Sequence, residues 1–295
     1  MRVLLTGRDG QLGQALLASC PPQLELIACG RADLNLADGT ACRQMVLHHR
    51  PDWVINAGAY TAVDRAEQEP ELAMAVNAAG PAALATALAE VGGRLLQIST
   101  DFVFDGHQGH PYHPNQSLAP LGAYGSSKAA GEQQVRSCLA PERCCILRTS
   151  WVYGPVGRNF LLTMLRLHRE RGASGQPLRV VADQVGGPTA TGGLARACWA
   201  VLAQQLAGPL HWSDAGATSW YDFAVAIGEL GVSTGLLARP APVEPITTAD
   251  YPTPARRPSY SLLDCSASRT ALGLPAQQWR QALAAVIAEV AAAAA

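Results

Sequence analysis

Five short, predominantly apolar runs, at residues 2–5, 24–29, 53–56, 94–99 and 144–149, alternate with longer segments at 11–19, 39–49, 71–91 and 123–136 whose apolar residues recur at helical spacing. Strands that are apolar on both faces must be covered on both faces. That requirement selects a parallel sheet between two helical layers, and right-handed crossovers make it doubly wound. The predicted fold class is therefore α/β, with ligands expected at the carboxyl ends of the strands. Beyond Trp151 the rhythm loosens and Gly and Pro concentrate in Gly154-Pro155, Gly186-Gly187-Pro188 and residues 239–258. Residues 151–295 are expected to form a smaller α/β substrate-binding cap on the sheet domain of residues 1–150, interleaved with returning sheet elements such as 178–181. The alanine-rich segment 281–295 predicts a terminal helix that frays at its last residues.

The 295 residues are 48% hydrophobic and 15% charged, which supplies a core and excludes a disordered chain. With 22 basic and 23 acidic residues and no long like-charge block, there is no stripe for nucleic acid. No apolar segment is read as long enough to span a bilayer, and the opening Met1-Arg2-Val3-Leu4-Leu5-Thr6-Gly7 lacks the longer apolar stretch of a secretory signal, so a cytoplasmic protein is expected. Eight cysteines without CxxC spacing read as reduced, mostly buried thiols, with Cys29, Cys144 and Cys145 inside strands.

Directly after the first strand stands Gly7-Arg8-Asp9-Gly10-Gln11-Leu12-Gly13. Three glycines between a strand and a helix let the backbone turn tightly and approach a pyrophosphate at the helix N-terminus, making the sheet Rossmann-type. The second strand ends Ala28-Cys29-Gly30-Arg31, where an NAD-selective protein often places a carboxylate for the ribose 2′-hydroxyl. Arg31 offers a cation for a 2′-phosphate instead, so NADPH is the favoured cofactor and NADH a possible one. Asp33 and Leu34 follow as candidates for the adenine edge, although Asp33 equally suits a turn. Ala57, Gly58 and Ala59, at the end of the third strand, are small enough for the cofactor to lie against the backbone.

The fourth strand ends Ser99-Thr100-Asp101, and Tyr124 and Lys128 follow four apart on a helix, so both project to one face. Tyrosine ordinarily titrates near pH 10, and a neighbouring ammonium is expected to lower that value. The pair supplies a proton donor to a substrate oxygen together with a tuning cation, and Thr100 would hydrogen-bond that same oxygen, which gains negative charge when hydride reaches its carbon. The order GxxGxxG, Ser/Thr at a strand end, then YxxxK matches the extended short-chain dehydrogenase/reductase pattern.

The resemblance narrows over nearly the whole chain. Residues Ile55-Asn56-Ala57-Gly58-Ala59-Tyr60-Thr61-Ala62-Val63-Asp64, Ser99-Thr100-Asp101-Phe102-Val103-Phe104-Asp105-Gly106, Leu147-Arg148-Thr149-Ser150-Trp151-Val152-Tyr153-Gly154 and Tyr251-Pro252-Thr253-Pro254-Ala255 with Arg257-Pro258 resemble the dTDP-4-dehydrorhamnose reductase family. The resemblance implies reduction of the 4-keto group of dTDP-6-deoxy-L-lyxo-4-hexulose to dTDP-L-rhamnose, with Tyr124 protonating the new alkoxide. By position it implies that Gly10, Gln11 and Leu12 line the pyrophosphate, Asp33 and Leu34 the adenine, and Ala57 to Ala59 the cofactor body. Thr100, Tyr124 and Lys128 would hold the nicotinamide half, Thr61 and Trp151 would touch the sugar nucleotide, Asp101 would tune the site and Arg257 would meet the diphosphate. Phe102 stands where the family usually has Tyr, removing a hydroxyl from the substrate border. Some relatives are dimers bridged by magnesium through glutamates on the first helix and on the helix after the Pro-Thr turn. Here Gln14, Ala15, Gly192 and Gly193 occupy those stretches, so no metal bridge is expected and a monomer or metal-free homodimer remains.

Three features receive other readings. His107, His110 and His113 recur every third residue, but in a Gly- and Pro-rich segment, 106–120, better read as a mobile loop over the substrate than as a metal cluster. Asp64 and Glu67 are read as complementing a helix dipole. The rival functions are a noncatalytic reductase-like regulatory subunit and a related nucleotide-sugar 4-ketoreductase or epimerase.

Overall fold

The computed structural model of the protein describes residues 1–294. Strand β1 (Arg2–Thr6) leads through the glycine turn into helix α1 (Gln11–Ala18), followed by β2 (Glu25–Cys29), α2 (Gly39–His49), β3 (Trp53–Asn56), the short α3 (Val63–Ala66) and α4 (Pro70–Met74), α5 (Gly80–Val91), β4 (Arg94–Thr100), α6 (Ala123–Cys138) and β5 (Cys144–Thr149). The second half contributes β6 (Val152–Tyr153), α7 (Phe160–Ser174), β7 (Leu178–Val181), β8 (Val185–Gly186), β9 (Thr189–Ala190), α8 (Thr191–Ala203), β10 (Gly208–His211), β11 (Thr218–Ser219), α9 (Trp220–Ser233), β12 (Val243–Ile246), α10 (Ser266–Leu272) and α11 (Trp279–Ala294). The terminal-helix expectation for Ala295 lies outside the described residues.

Six strands pair in parallel in the order β10-β5-β4-β3-β1-β2. Alternation along each strand sends Val3, Leu5, Ile55, Leu96 and Leu147 to the face packed with α1 and α8, and Leu4, Val54, Leu95 and Ile146 to the face packed with α2, α5 and α6. Burial on both faces explains why these strands read as continuous apolar runs. The winding reverses between β1 and β3, which opens a crevice at the carboxyl ends of those strands. A second core, built around Leu165, Leu178, Phe223, Ile227 and Leu283, holds the smaller layer together.

Residues 178–181 do not return to the main sheet. They pair with β12 in a separate two-stranded sheet, and Arg179 faces solvent, so β7 has only one face to bury. The returning elements are α8, packed on α1, and β10, which adds to the edge beside β5. Pro209 lies in β10, and a proline is tolerated in a strand only at such an edge.

The segment 71–91 also differs from the single helix expected. A wide turn at Ala75–Ala79 separates α4 from α5, and Pro81, which has no N–H to give the helical ladder, follows it. Counted through that turn, Pro70–Val91 spans 22 residues with a mean hydropathy of 1.5, long and apolar enough to cross a membrane by length and composition. That corrects the expectation that no such segment exists. In the fold, Leu84, Ala85, Ala87 and Leu88 are fully buried against the sheet and α2, so the apolarity is that of a core helix.

Candidate functional site

The carboxyl ends of β1 to β5 open into a cleft of about 800 Å³, roofed by the second layer. Of the residues singled out in the sequence, Gly7, Gly10, Gln11, Leu12, Arg31, Leu34, Ala57, Gly58, Ala59, Thr61, Thr100, Asp101, Phe102, Tyr124, Lys128, Trp151 and Arg257 line it. Gly13 and Asp33 do not.

Gly7 has φ +71°, and a Cβ there would lie 2.6 Å from Gly58 N, so the crossing of the β1 and β3 exits depends on a residue without a side chain. Gly13 instead lets α1 lie on the turn: its Cβ would meet Gly7 O at 2.1 Å. Gly10 caps α1 without a side chain, leaving the first amides of that helix directed at the cleft for an anion. Asp33 is drawn away from the adenine region, its carboxylate 2.9 Å from Arg8 and accepting from Gly30 N at 2.8 Å. The turn alternative for Asp33 is therefore the one observed.

At the other end, Thr100 Oγ1 donates to Asp101 Oδ1 at 2.9 Å and accepts from Phe102 N at 3.2 Å, which fixes the hydroxyl beside the Tyr124 ring. Burial pushes the Tyr124 phenol up to about 12, opposed by the Thr100 hydroxyl and reinforced by Asp101. The expected lowering by Lys128 is not found, and Lys128 Nζ donates to Ile98 O at 2.7 Å. Burial brings Lys128 down to about 8, opposed by Glu132. Asp101 is pushed up to about 6 by burial, opposed by the hydroxyls of Ser261 and Thr100. The Phe102 ring packs edge-on against Tyr124, with centroids 5.5 Å apart, and so orients the phenol.

Several supports of the site were not legible as such. Glu132, one turn beyond Lys128, accepts from Ser99 Oγ at 2.6 Å and from Arg148 Nε and a terminal guanidinium nitrogen at 2.8 and 2.7 Å. All three residues are buried, so α6 is tied to β4 and β5 beside Thr100. Asn77, presented by the wide turn at Ala75–Ala79, accepts from Tyr60 N and donates to Tyr60 O and Ser127 Oγ, joining the β3 exit to α6. Gly131 permits this approach, since a Cβ there would lie 2.0 Å from Asn77 O.

On the roof, Trp151 adopts φ +46°, a conformation costly for a bulky side chain. Its indole is stacked on Trp220 at 3.6 Å, and a Cβ on the neighbouring Gly186 would come within 2.8 Å of the ring. Trp220, 69 residues away in sequence, carried no motif. Arg257, expected at a diphosphate, forms an ion pair with Asp64 through both guanidinium nitrogens at 2.8 and 2.9 Å, so much of its binding capacity is spent inside the protein. Asp64 thus braces a loop rather than only a helix start, while Glu67 accepts from Ala123 N at the start of α6, complementing another helix than its own. Arg158 lines the cleft as a further cation.

The histidine segment does not border the cleft. Tyr112 is buried, stacked on Phe104 at 4.3 Å, and its backbone pairs with Leu262 and Asp264, pinning the loop that was expected to move over the substrate. All eight cysteines are free, six of them buried.

The model of the RmlD substrate binding domain matches residues 1–292. A dTDP-4-dehydrorhamnose reductase from Streptomyces griseus is 42% identical over 96% of this chain and 91% of its own length, and one from Aggregatibacter actinomycetemcomitans is 39% identical over 96% and 97%. The crystal structure of the dTDP-4-dehydrorhamnose reductase from Bacillus anthracis in complex with NADP superposes with a TM-score of 0.89 at 35% identity, covering 98% of this chain and 99% of that one. With a cleft of this form and similarity along its whole length, the chain belongs to the dTDP-4-dehydrorhamnose reductase family.

Proposed function

We propose that the protein reduces the 4-keto group of dTDP-6-deoxy-L-lyxo-4-hexulose to give dTDP-L-rhamnose, using NADPH. The observation that carries this reading is the meeting of Thr100, Tyr124 and Lys128 in one cleft with an uncapped helix start and a glycine cradle. In this reading residues 1–150, joined by α8 and β10, hold the cofactor, and the remainder of 151–295 holds the sugar nucleotide.

The residues fit the cofactor. Gly7 and Gly10 leave room for a pyrophosphate against the amides of α1, Leu34 offers an apolar wall for adenine, and Arg31 lines the cleft just beyond β2, where a 2′-phosphate would lie. Bound there, the nicotinamide supplies a hydride to the ketone carbon. Tyr124 keeps its proton at neutral pH, so its phenol gives that proton to the oxygen that becomes an alkoxide. Thr100 stabilises the same oxygen, and Lys128 places a positive charge next to the reacting centre below about pH 8. Trp151, braced by Trp220, bounds the sugar side, where Phe102 contributes an apolar edge in place of a hydroxyl. The assembly is a monomer or a metal-free homodimer, because Gln14, Ala15, Gly192 and Gly193 bring no carboxylate to a bridge.

The test is to mix protein, NADPH and the dTDP-linked 4-keto sugar and follow the nicotinamide absorbance alongside the separated product. Stoichiometric NADPH consumption is expected. An epimerase would regenerate its cofactor, and a noncatalytic subunit would consume none. Tyr124→Phe should lose roughly 10²- to 10⁴-fold in kcat while binding NADPH unchanged; wild-type turnover in that variant removes Tyr124 from the chemistry.

A further inference from the structure

A second cavity, of about 50 Å³, lies outside the cleft against the first turn of α8, with Gly193, Arg196, Trp212, Asp214, Arg269 and Gln277 in its wall. Its floor is buried: Trp212 is 5% exposed and Asp214 4%. The indole N–H of Trp212 has no acceptor among the described residues, although a desolvated donor of this kind ordinarily has one. Three groups converge on one point. A Cβ built on Gly193 would stand 3.6 Å from Trp212 Nε1, 3.6 Å from Asp214 Oδ1 and 3.8 Å from a guanidinium nitrogen of Arg196. Arg269, held by a 2.9 Å hydrogen bond to Ser213 O, brings a second guanidinium, and α8 starts at Ala190 without a side-chain cap.

Two guanidinium groups and an unsatisfied indole N–H specify an anion. The carboxylate of Asp214 specifies which one. Its Oδ2 accepts from Ala190 N at 3.0 Å, and its Oδ1 faces the cavity, so a bound anion must present a proton to it. The space exceeds that of a single water and suits one small tetrahedral ion. We propose that this cavity binds inorganic phosphate as the monohydrogen ion, with Arg196, Arg269 and Trp212 Nε1 donating to its unprotonated oxygens and its P–OH donating to Asp214 Oδ1. Sulfate has the same shape and no proton to give. A phosphomonoester loses its last P–OH proton by about pH 8 and carries extra bulk, so free phosphate is the source selected.

Burial pushes Asp214 up to about 7, opposed by the Ala190 amide, Arg196, Arg269 and the Tyr153 hydroxyl. Measurements near pH 8 therefore present a carboxylate to the ion. Potassium phosphate, sulfate and methyl phosphate are titrated calorimetrically at constant ionic strength into protein saturated with NADPH, which keeps the ions out of the nucleotide cleft. Phosphate should bind at least about tenfold more tightly than either analogue. Gly193→Ala puts a methyl group at the convergence point with only ordinary contacts and in a helix that favours alanine, so the variant folds. It should weaken phosphate about tenfold or more and leave NADPH binding unchanged, and Trp212→Phe should weaken phosphate by removing the donor. Equal binding of sulfate and phosphate, phosphate binding undiminished in Gly193→Ala, or no phosphate binding would each overturn the assignment.

Discussion

Asp101 and Lys128 stand within the same cleft, both buried and both moved by burial toward neutrality, one from below and one from above. For Asp101 the folded protein holds the proton more tightly than the unfolded chain does. Its contribution is therefore neutral below about pH 4, becomes unfavourable as pH rises to about 6 and stays so above, by about 3 kcal/mol for a shift from 3.8 to about 6. Asp101→Asn keeps an oxygen for the Thr100 hydroxyl and removes the charge. Denaturant unfolding should find the variant no more stable than wild type near pH 4 and up to about 3 kcal/mol more stable near pH 8, with lower activity because the cleft loses a charge beside Tyr124. If Asp101→Asn is the less stable protein at pH 8, the bond from Thr100 to the carboxylate outweighs the burial cost. In both residues burial works against the charged form, the pattern expected if the proposed chemistry uses them at the expense of stability.

At the scale of elements, α6 matters through what it is tied to. Glu132 joins it to Ser99 on β4 and Arg148 on β5, a buried ion pair with every strong donor satisfied. Glu132→Gln leaves Arg148 buried beside a neutral amide, which costs about 3–5 kcal/mol in denaturant unfolding. It also removes the charge that holds Lys128 up, so the loss of kcat at alkaline pH should begin at lower pH than in wild type. A variant destabilised but with an unmoved pH profile would make Glu132 a structural tie only. This part of the site was illegible in the sequence for a physical reason. A helix or a buried strand is written in local periodicity, and Thr100, Tyr124 and Lys128 are read once strand end and helix are placed. Glu132 and Arg148 are 16 residues apart with no periodic mark, and an ordinary charged residue looks the same buried or exposed. Asn77 and Trp220 were hidden similarly: one depends on a widened turn inside an apolar helix, the other on a stack across two layers. The misplacement of 178–181 has the same origin, because a short β-branched run fits either sheet until its solvent-facing Arg179 is set against a neighbour.

For the whole molecule, the question is whether the two layers act as one body around the cleft. The chain crosses between them inside continuous elements. The β6–β9 pair belongs with the second layer's core, yet β9 runs without a break into α8, which packs on α1 under the main sheet. Trp151 sits between β5 of the main sheet and β6, and its stack with Trp220 ties that junction to the start of α9. Unfolding either layer therefore strips buried surface from the other, and a single thermal transition follows. A ligand in the cleft should move all of it. NADPH at 100 times its Kd stabilises the folded state by about 2.7 kcal/mol, a rise in Tm of roughly 5 °C for a chain of this size. Calorimetry with and without NADPH checks this: one peak, shifted as a whole, is the expected trace. Two peaks, with only one responding to NADPH, would mean that the second layer folds independently and that the shared elements β9 and α8 do not couple it to the cofactor.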